Sequence, residues 1–133
     1  MNIEEFREYC FTIKGCTEST PFLDQNVVVF KVMGKMFAYI PLHPEDGVFQ
    51  VNLKCNPDKS VELREKYNGI IETDFKTPLW NLVTLSSDVP DKVIEELIRH
   101  SAEEVIRKLP KRKQEEYHRF VKKSSTNCCV DTK

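Results

Sequence analysis

The residues whose types suit binding chemistry are Lys31, Lys35, Lys54 and Lys76 as cations, Gln50 and Asn52 as amides, and Trp80, the single tryptophan. An aromatic ring stacks on a base, an ammonium meets a phosphate, and an amide bonds to a base edge or sugar. The same set also suits a small planar ligand or a partner protein. Catalysis and metal binding have no such support. His43, His100 and His118 show no H-x-x-x-H, H-E-x-x-H or mixed Cys/His spacing, so no metal site is expected. Ser101 follows His100 directly, and neighbours on a helix point about 100° apart, which excludes a nucleophile and base pair by adjacency. With four glycines there is no G-x-x-x-x-G-K or G-x-G-x-x-G loop, so no nucleotide cofactor is implied. Glu4, Glu5 and Glu8 form an acidic ridge, read as a solvated face that favours the positive end of a helix rather than as a cation site. No enzyme is expected.

These side chains must be positioned by residues 27–40, read as VVVFKV, Met33-Gly34-Lys35 and MFAYI. Two β-branched and aromatic runs around a glycine predict a hairpin turning at Gly34-Lys35. That turn pairs Met33 with Met36, Val32 with Phe37, Lys31 with Ala38 and Phe30 with Tyr39. It places Val28, Phe30, Val32, Phe37 and Tyr39 on one core face. A turn at residues 43–47 leads to a strand at 48–53, where Phe49, Val51 and Leu53 alternate with Val48, Gln50, Asn52 and Lys54. Upstream, Asn2 and Glu5 read as a capping pair for a helix over residues 3–14, with Gly15 beyond its end. Residues 16–26 read as a loop, since Pro21 excludes a regular element.

Asn56-Pro57 opens a second helix, 57–67, with Val61, Leu63 and Tyr67 as candidates for burial and Asn68-Gly69 as its stop. Ile70-Ile71 form a short strand, and WNLVTL from Trp80 forms the last one. Asp88 and Pro90 open the longest helix, striped by Val93, Ile94, Leu97, Ile98, Ala102, Val105, Ile106 and Leu109. The order is α-β-β-β-α-β-β-α. The expected fold is α+β, a two-layer sandwich with a five-stranded, mostly antiparallel sheet and its helices on one face. Alternation then displays Lys31, Gln50, Asn52 and Lys54 on the open face. Val83 and Leu85 facing inward leave Trp80 outward, the alternative being Trp80 filling a core corner.

The net charge of -1 conceals an asymmetry. Up to Leu109 there are 13 Lys and Arg against 18 Asp and Glu; from Pro110 onward there are 7 against 3. An acidic body argues against a strongly basic DNA clamp, so any binding should be weak and salt-sensitive. Residues 1–110 read as a single domain and 111–133 as a basic tail, with a short helix at Tyr117, Phe120 and Val121 and the last ten residues without structure. Truncation after Pro110 is expected to leave the fold intact. Five cysteines without a C-x-x-C read as reduced thiols. No apolar run approaches a membrane span and the first residues are acidic, so a cytoplasmic monomer without membrane contact is expected.

The motifs together carry a resemblance. IEEFREYC with F-x-I-K-G, Pro21-Phe22, VFKVMGKMFAYI, LREKY-N-G-I, Trp80 to Val83 as W-x-x-V, and V-P-D-x-x-x-x-x-L-I-x-H-S ending K-L-P-K look like the MmcQ/YjbR family over about residues 2–111. The resemblance implies a fold similar to CyaY/frataxin and a DNA-binding role with a double-wing arrangement of hairpins. Many members carry a stretch resembling N-K-K-H-W. This chain has Phe75-Lys76-Thr77-Pro78-Leu79-Trp80 instead, so only Lys76 remains of that cationic cluster. The leading expectation is a DNA-binding module; the alternative is a non-catalytic module that binds a small molecule or protein on the same sheet face.

Overall fold

A computed structural model describes residues 1–19, 27–41, 48–73 and 79–127. The central hairpin joins β2 (Val27–Val32) to β3 (Lys35–Pro41), but it turns one residue earlier than expected. Val32 pairs with Lys35, so Met33 and Gly34 are the two central residues, with φ of 53° and 77°. A turn with positive φ at both positions matches the twist of paired strands, and Gly34 lowers its cost. Met33 accepts the strained position while its side chain packs against the core.

The earlier turn alone keeps the expected parity of β3, and a β-bulge reverses it beyond Phe37. Phe30 pairs with Ala38 and Lys31 with Met36, which leaves Phe37 as the extra residue. A bulge sets two successive residues against one, so both Phe37 and Ala38 reach the core. Val28, Phe30, Val32 and Phe37 are buried as expected, whereas Tyr39 is turned to the opposite face and Ile40 takes its place inside.

The sheet has six strands among the described residues, not five. Besides β2 and β3 it contains β1 (Thr17–Ser19), β4 (Gln50–Lys54), β5 (Ile70–Glu72) and β6 (Trp80–Thr84), in the order β1-β2-β3-β4-β6-β5. Every neighbouring pair is antiparallel. The added strand, β1, lies in the segment read as a loop. Its Thr-Glu-Ser sequence carries no apolar alternation; its side chains Thr17 and Ser19 are exposed, and Glu18 is held by Arg7 of the first helix at 2.7–2.9 Å.

Among the described residues there are four helices: α1 (Ile3–Cys10), α2 (Pro57–Lys66), α3 (Asp91–Arg107) and α4 (Lys111–Asn127). At α1 the capping pair forms in both directions, Glu5 N–H to Asn2 Oδ1 at 2.8 Å and Asn2 N–H to Glu5 Oε1 at 2.9 Å. The helix ends earlier than position 14 because Thr12 Oγ donates to Tyr9 O at 2.6 Å and the next turns tighten. In α2, Asn56 caps through Asp58 N–H at 2.9 Å. Leu63 and Ser60 are buried there, but Val61 is exposed: its side chain projects away from the sheet.

One core holds Phe6 and Cys10 of α1, Leu63 of α2, Ile94, Leu97, Ile98, Ala102 and Val105 of α3, and Tyr117 of α4. The strand residues facing them, Phe30, Phe37, Val51, Leu53 and Val83, share one side of the sheet. Among the described residues all four helices therefore lie on that side and the other carries no helix. The C-terminal helix is longer than expected and continues to Asn127. Tyr117 is 8% exposed and donates through its hydroxyl to Lys14 O at 2.9 Å, and Gln114 Nε2 donates to the carbonyls of Arg107 at the end of α3 (3.0 Å) and of Leu109 just beyond it (2.8 Å). No helix among the described residues is long and apolar enough to cross a membrane.

Candidate nucleic-acid interface

The register places the candidate residues before any side chain is considered. Tyr39 lies opposite Asn52, Asn52 opposite Leu82, Lys54 opposite Trp80 and Gln50 opposite Thr84. Residues directly opposite share a face, so Tyr39, Gln50, Asn52, Lys54, Trp80, Leu82 and Thr84 all project from the side free of helix. Trp80 is thus outward and half-buried, not a core corner. Its ring lies 5.6 Å from the ring of Tyr39, tilted by 54°, and the Lys54 ammonium sits 5.5 Å from its centroid. A cation at that distance is attracted to the negative face of the indole.

Two partly buried contacts from the helical layer fix this cluster. Ser101 of α3 is fully buried, and its hydroxyl reaches Lys54 O at 2.6 Å, with Leu97 O also within range at 2.7 Å. From α2, Arg64 donates Nε to Asn81 Oδ1 at 2.8 Å and a terminal nitrogen to Trp80 O at 3.0 Å, while Asn81 Nδ2 donates to Ser60 Oγ at 3.2 Å. Asn81 faces the core and is 2% exposed, so the polar network beneath Trp80 is enclosed. His100 supports the same corner by accepting Asn56 N–H at 3.1 Å. Burial, followed by Lys59, lowers its pKa from the ordinary 6.5.

The remaining expected residues divide. Gln50 Nε2 is bonded across the sheet to Thr84 Oγ at 3.2 Å. Asn52 is on the open side but only 4% exposed, packed between its neighbours Tyr39 and Leu82, so its amide is not displayed to a ligand as the alternation suggested. Lys31 is half-buried on β2, two strands from Lys54. Lys35 is exposed at the hairpin end rather than on the face. Lys76 lies outside the described residues. Tyr39, expected on the core face, reaches this side through the bulge, and Arg64 carries no sequence signal that singles it out.

Burial, reinforced by Lys108 and opposed by Glu104, lowers the pKa of Lys54. Burial raises the Cys55 thiol and pushes Cys16 up to about 12, the latter with help from Glu18. Cys10, Cys16 and Cys55 are free. Thiols held protonated in this way are poor nucleophiles and poor metal ligands. No group of three His, Cys, Asp or Glu among the described residues is placed to hold a metal.

A family model described as YjbR matches residues 11–102. The chain belongs to the YjbR family. The matched stretch runs from the end of α1 into α3 and takes in every strand, whereas α4 lies beyond it. A crystal structure of a Deinococcus radiodurans protein with the DUF419 domain is similar to this YjbR-family chain at 29% identity, covering 86% of each chain with a TM-score of 0.75. A Pseudomonas syringae protein shares the fold at 24% identity. Its crystal structure covers 77% of this chain and 97% of that one with a TM-score of 0.65, and a solution structure gives 0.64. No curated protein matches.

Proposed function

We propose that this YjbR-family chain is a non-catalytic, cytoplasmic DNA-binding module that holds a strand against the open sheet face. The observation that carries this reading is Trp80, turned out from the core with Tyr39 beside it and the Lys54 ammonium over its ring. A fixed aromatic pair next to a cation suits a base stacked on the ring with its phosphate at the lysine. Burial of Asn52 and the engagement of Gln50 with Thr84 leave few free amides to read base edges. Recognition is accordingly tolerant of sequence and favours a single strand, whose bases are free to stack.

Because Trp80 is the only tryptophan, its emission reports on the proposed contact directly. Titration with a mixed-sequence single strand at about 50 mM salt should quench it, and raising the salt should release the strand with a log-log slope of about -2, as for three phosphates. Joint replacement of Lys31 and Trp80, followed by anisotropy of a labelled strand, should abolish binding. Absence of binding by the native chain to both single strand and duplex at low salt would sink the reading and favour a small-molecule or protein ligand on this face.

A further inference from the structure

At the end of the sheet, between the hairpin and the C-terminus of α3, lies a cavity of about 270 Å³ lined by Lys35, Met36, Lys54, Val105, Lys108 and Leu109. We propose that this cavity is a phosphate-binding niche in which Lys35, Lys54 and Lys108 converge on one oxyanion. The proposal rests on the reading of the adjacent sheet face: the niche would take a backbone phosphate while the attached base stacks on Trp80.

The three lysines come from separate elements, the first residue of β3, the last of β4 and the C-cap of α3, so only the tertiary fold brings them together. Among the described residues none of the three is in an ion pair. The nearby acid is Glu104, and both its oxygens are taken by Arg107 at 2.9–3.3 Å. Met36, Val105 and Leu109 supply an apolar wall, and Val105 and Leu109 are buried. Such a wall lowers the local dielectric and strengthens attraction between an anion and the ammonium groups.

A helix C-terminus ordinarily repels anions through its unpaired carbonyls. Here Gln114 of α4 donates to one of them, Arg107 O at 3.0 Å, and to Leu109 O just past the helix at 2.8 Å, which blunts that repulsion. Lys54 is anchored through its backbone to Ser101 and is depressed in pKa by burial and then by Lys108. Uncompensated like charges around one space are the condition that an oxyanion relieves.

Lys35 and Lys108 are exposed, so Lys35→Gln and Lys108→Gln leave the core untouched. Inorganic phosphate is titrated into the full chain while the amide resonances of Lys35 and Lys108 and the Lys54 side-chain signal are followed. The expected result is saturable shifts at these positions, an upward move of the Lys54 titration, and at least about a tenfold loss of affinity in the double variant, since two of three charge-assisted contacts are removed. Lys92→Gln, at an exposed site on α3, should bind as the native chain does. Shifts that are absent, or that persist equally in the double variant, would overturn the niche. A labelled single strand then separates the two readings. If the strand binds through Trp80 but ignores the double substitution, the niche is wrong and the face reading stands. If phosphate binds through the lysines and no strand binds, the niche is a free-phosphate site and the nucleic-acid reading falls. Loss of both ligands in the double variant supports the niche as the backbone contact.

Discussion

Replacing Arg64 with alanine tests whether the enclosed network beneath Trp80 holds the open face in shape. The guanidinium donates to the buried Asn81 Oδ1 at 2.8 Å and to Trp80 O at 3.0 Å, and it also pairs loosely with the half-exposed Glu72 at 3.8 Å. A charge-assisted bond to a buried acceptor contributes about 1.5–3 kcal/mol, and a second bond to a partly buried carbonyl about 1. The distant ion pair with Glu72 adds less than about 0.5. Arg64→Ala should therefore cost about 2–4 kcal/mol, or roughly 1–2 M in the urea midpoint at an ordinary slope. The assay is equilibrium urea unfolding followed by Trp80 emission, with calorimetry as a second probe of two-state behaviour. The native-state spectrum of the variant should also shift, because the ring loses one of its backbone anchors. Glu72→Ala is the control and should change stability by less than about 0.5 kcal/mol. In a double-mutant cycle, Arg64→Ala and Asn81→Ala should couple by about 1–3 kcal/mol. An Arg64→Ala stability within about 0.5 kcal/mol of native, or strict additivity with Asn81→Ala, would show that the network does not carry the corner and that Trp80 is held by its own ring contacts alone.

Tyr117→Ala should destabilise the chain by about 3 kcal/mol, since a buried ring and the hydroxyl bond to Lys14 O are lost together. A thermal scan showing a loss below about 1 kcal/mol would mean that α4 is only loosely attached, and truncation after Pro110 should follow the same sign. His100, neutral and accepting Asn56 N–H, has a folded pKa below the ordinary 6.5. Its contribution is complete above that unfolded value and is lost as pH falls through the lower folded one, because the unfolded chain takes up the proton first. His100→Gln should flatten the stability profile below pH 6.5, and an unchanged slope would refute this. Cys10 and Cys16, both raised chiefly by burial, and Cys55 should resist iodoacetamide in the folded chain and react in urea. Peptide mapping that finds any of them rapidly alkylated in buffer would contradict their enclosure.

Local chemistry made much of this chain legible in one dimension. Asn2 with Glu5 and Asn56 before Pro57 each specify a helix start through bonds that need only neighbouring residues. The apolar stripe from Ile94 to Val105 declares a buried helix, and the alternation in QVNLK declares a strand with Gln50, Asn52 and Lys54 on one side. The family motifs were legible too, because they are strings of residues and ask nothing of the fold.

Contacts between distant segments decided the rest. Thr17-Glu18-Ser19 has no pattern of its own and becomes a strand because β2 offers an unpaired edge. The register of β3 depended on whether Met33 would accept a positive φ, and its parity on a bulge at Phe37; both are costs that only the packed core outweighs. That single bulge moved Tyr39 from the expected core to the side of Trp80. Nothing local to Arg64 or Ser101 marks them out; the sheet places Asn81, Trp80 and Lys54 within hydrogen-bonding distance of them. Residue type and short spacing determine which elements form, because the forces that start a helix or a turn act over a few residues. Which side chains meet on the open face is a tertiary matter, since register, bulge and layer packing are set by burial summed over the whole domain.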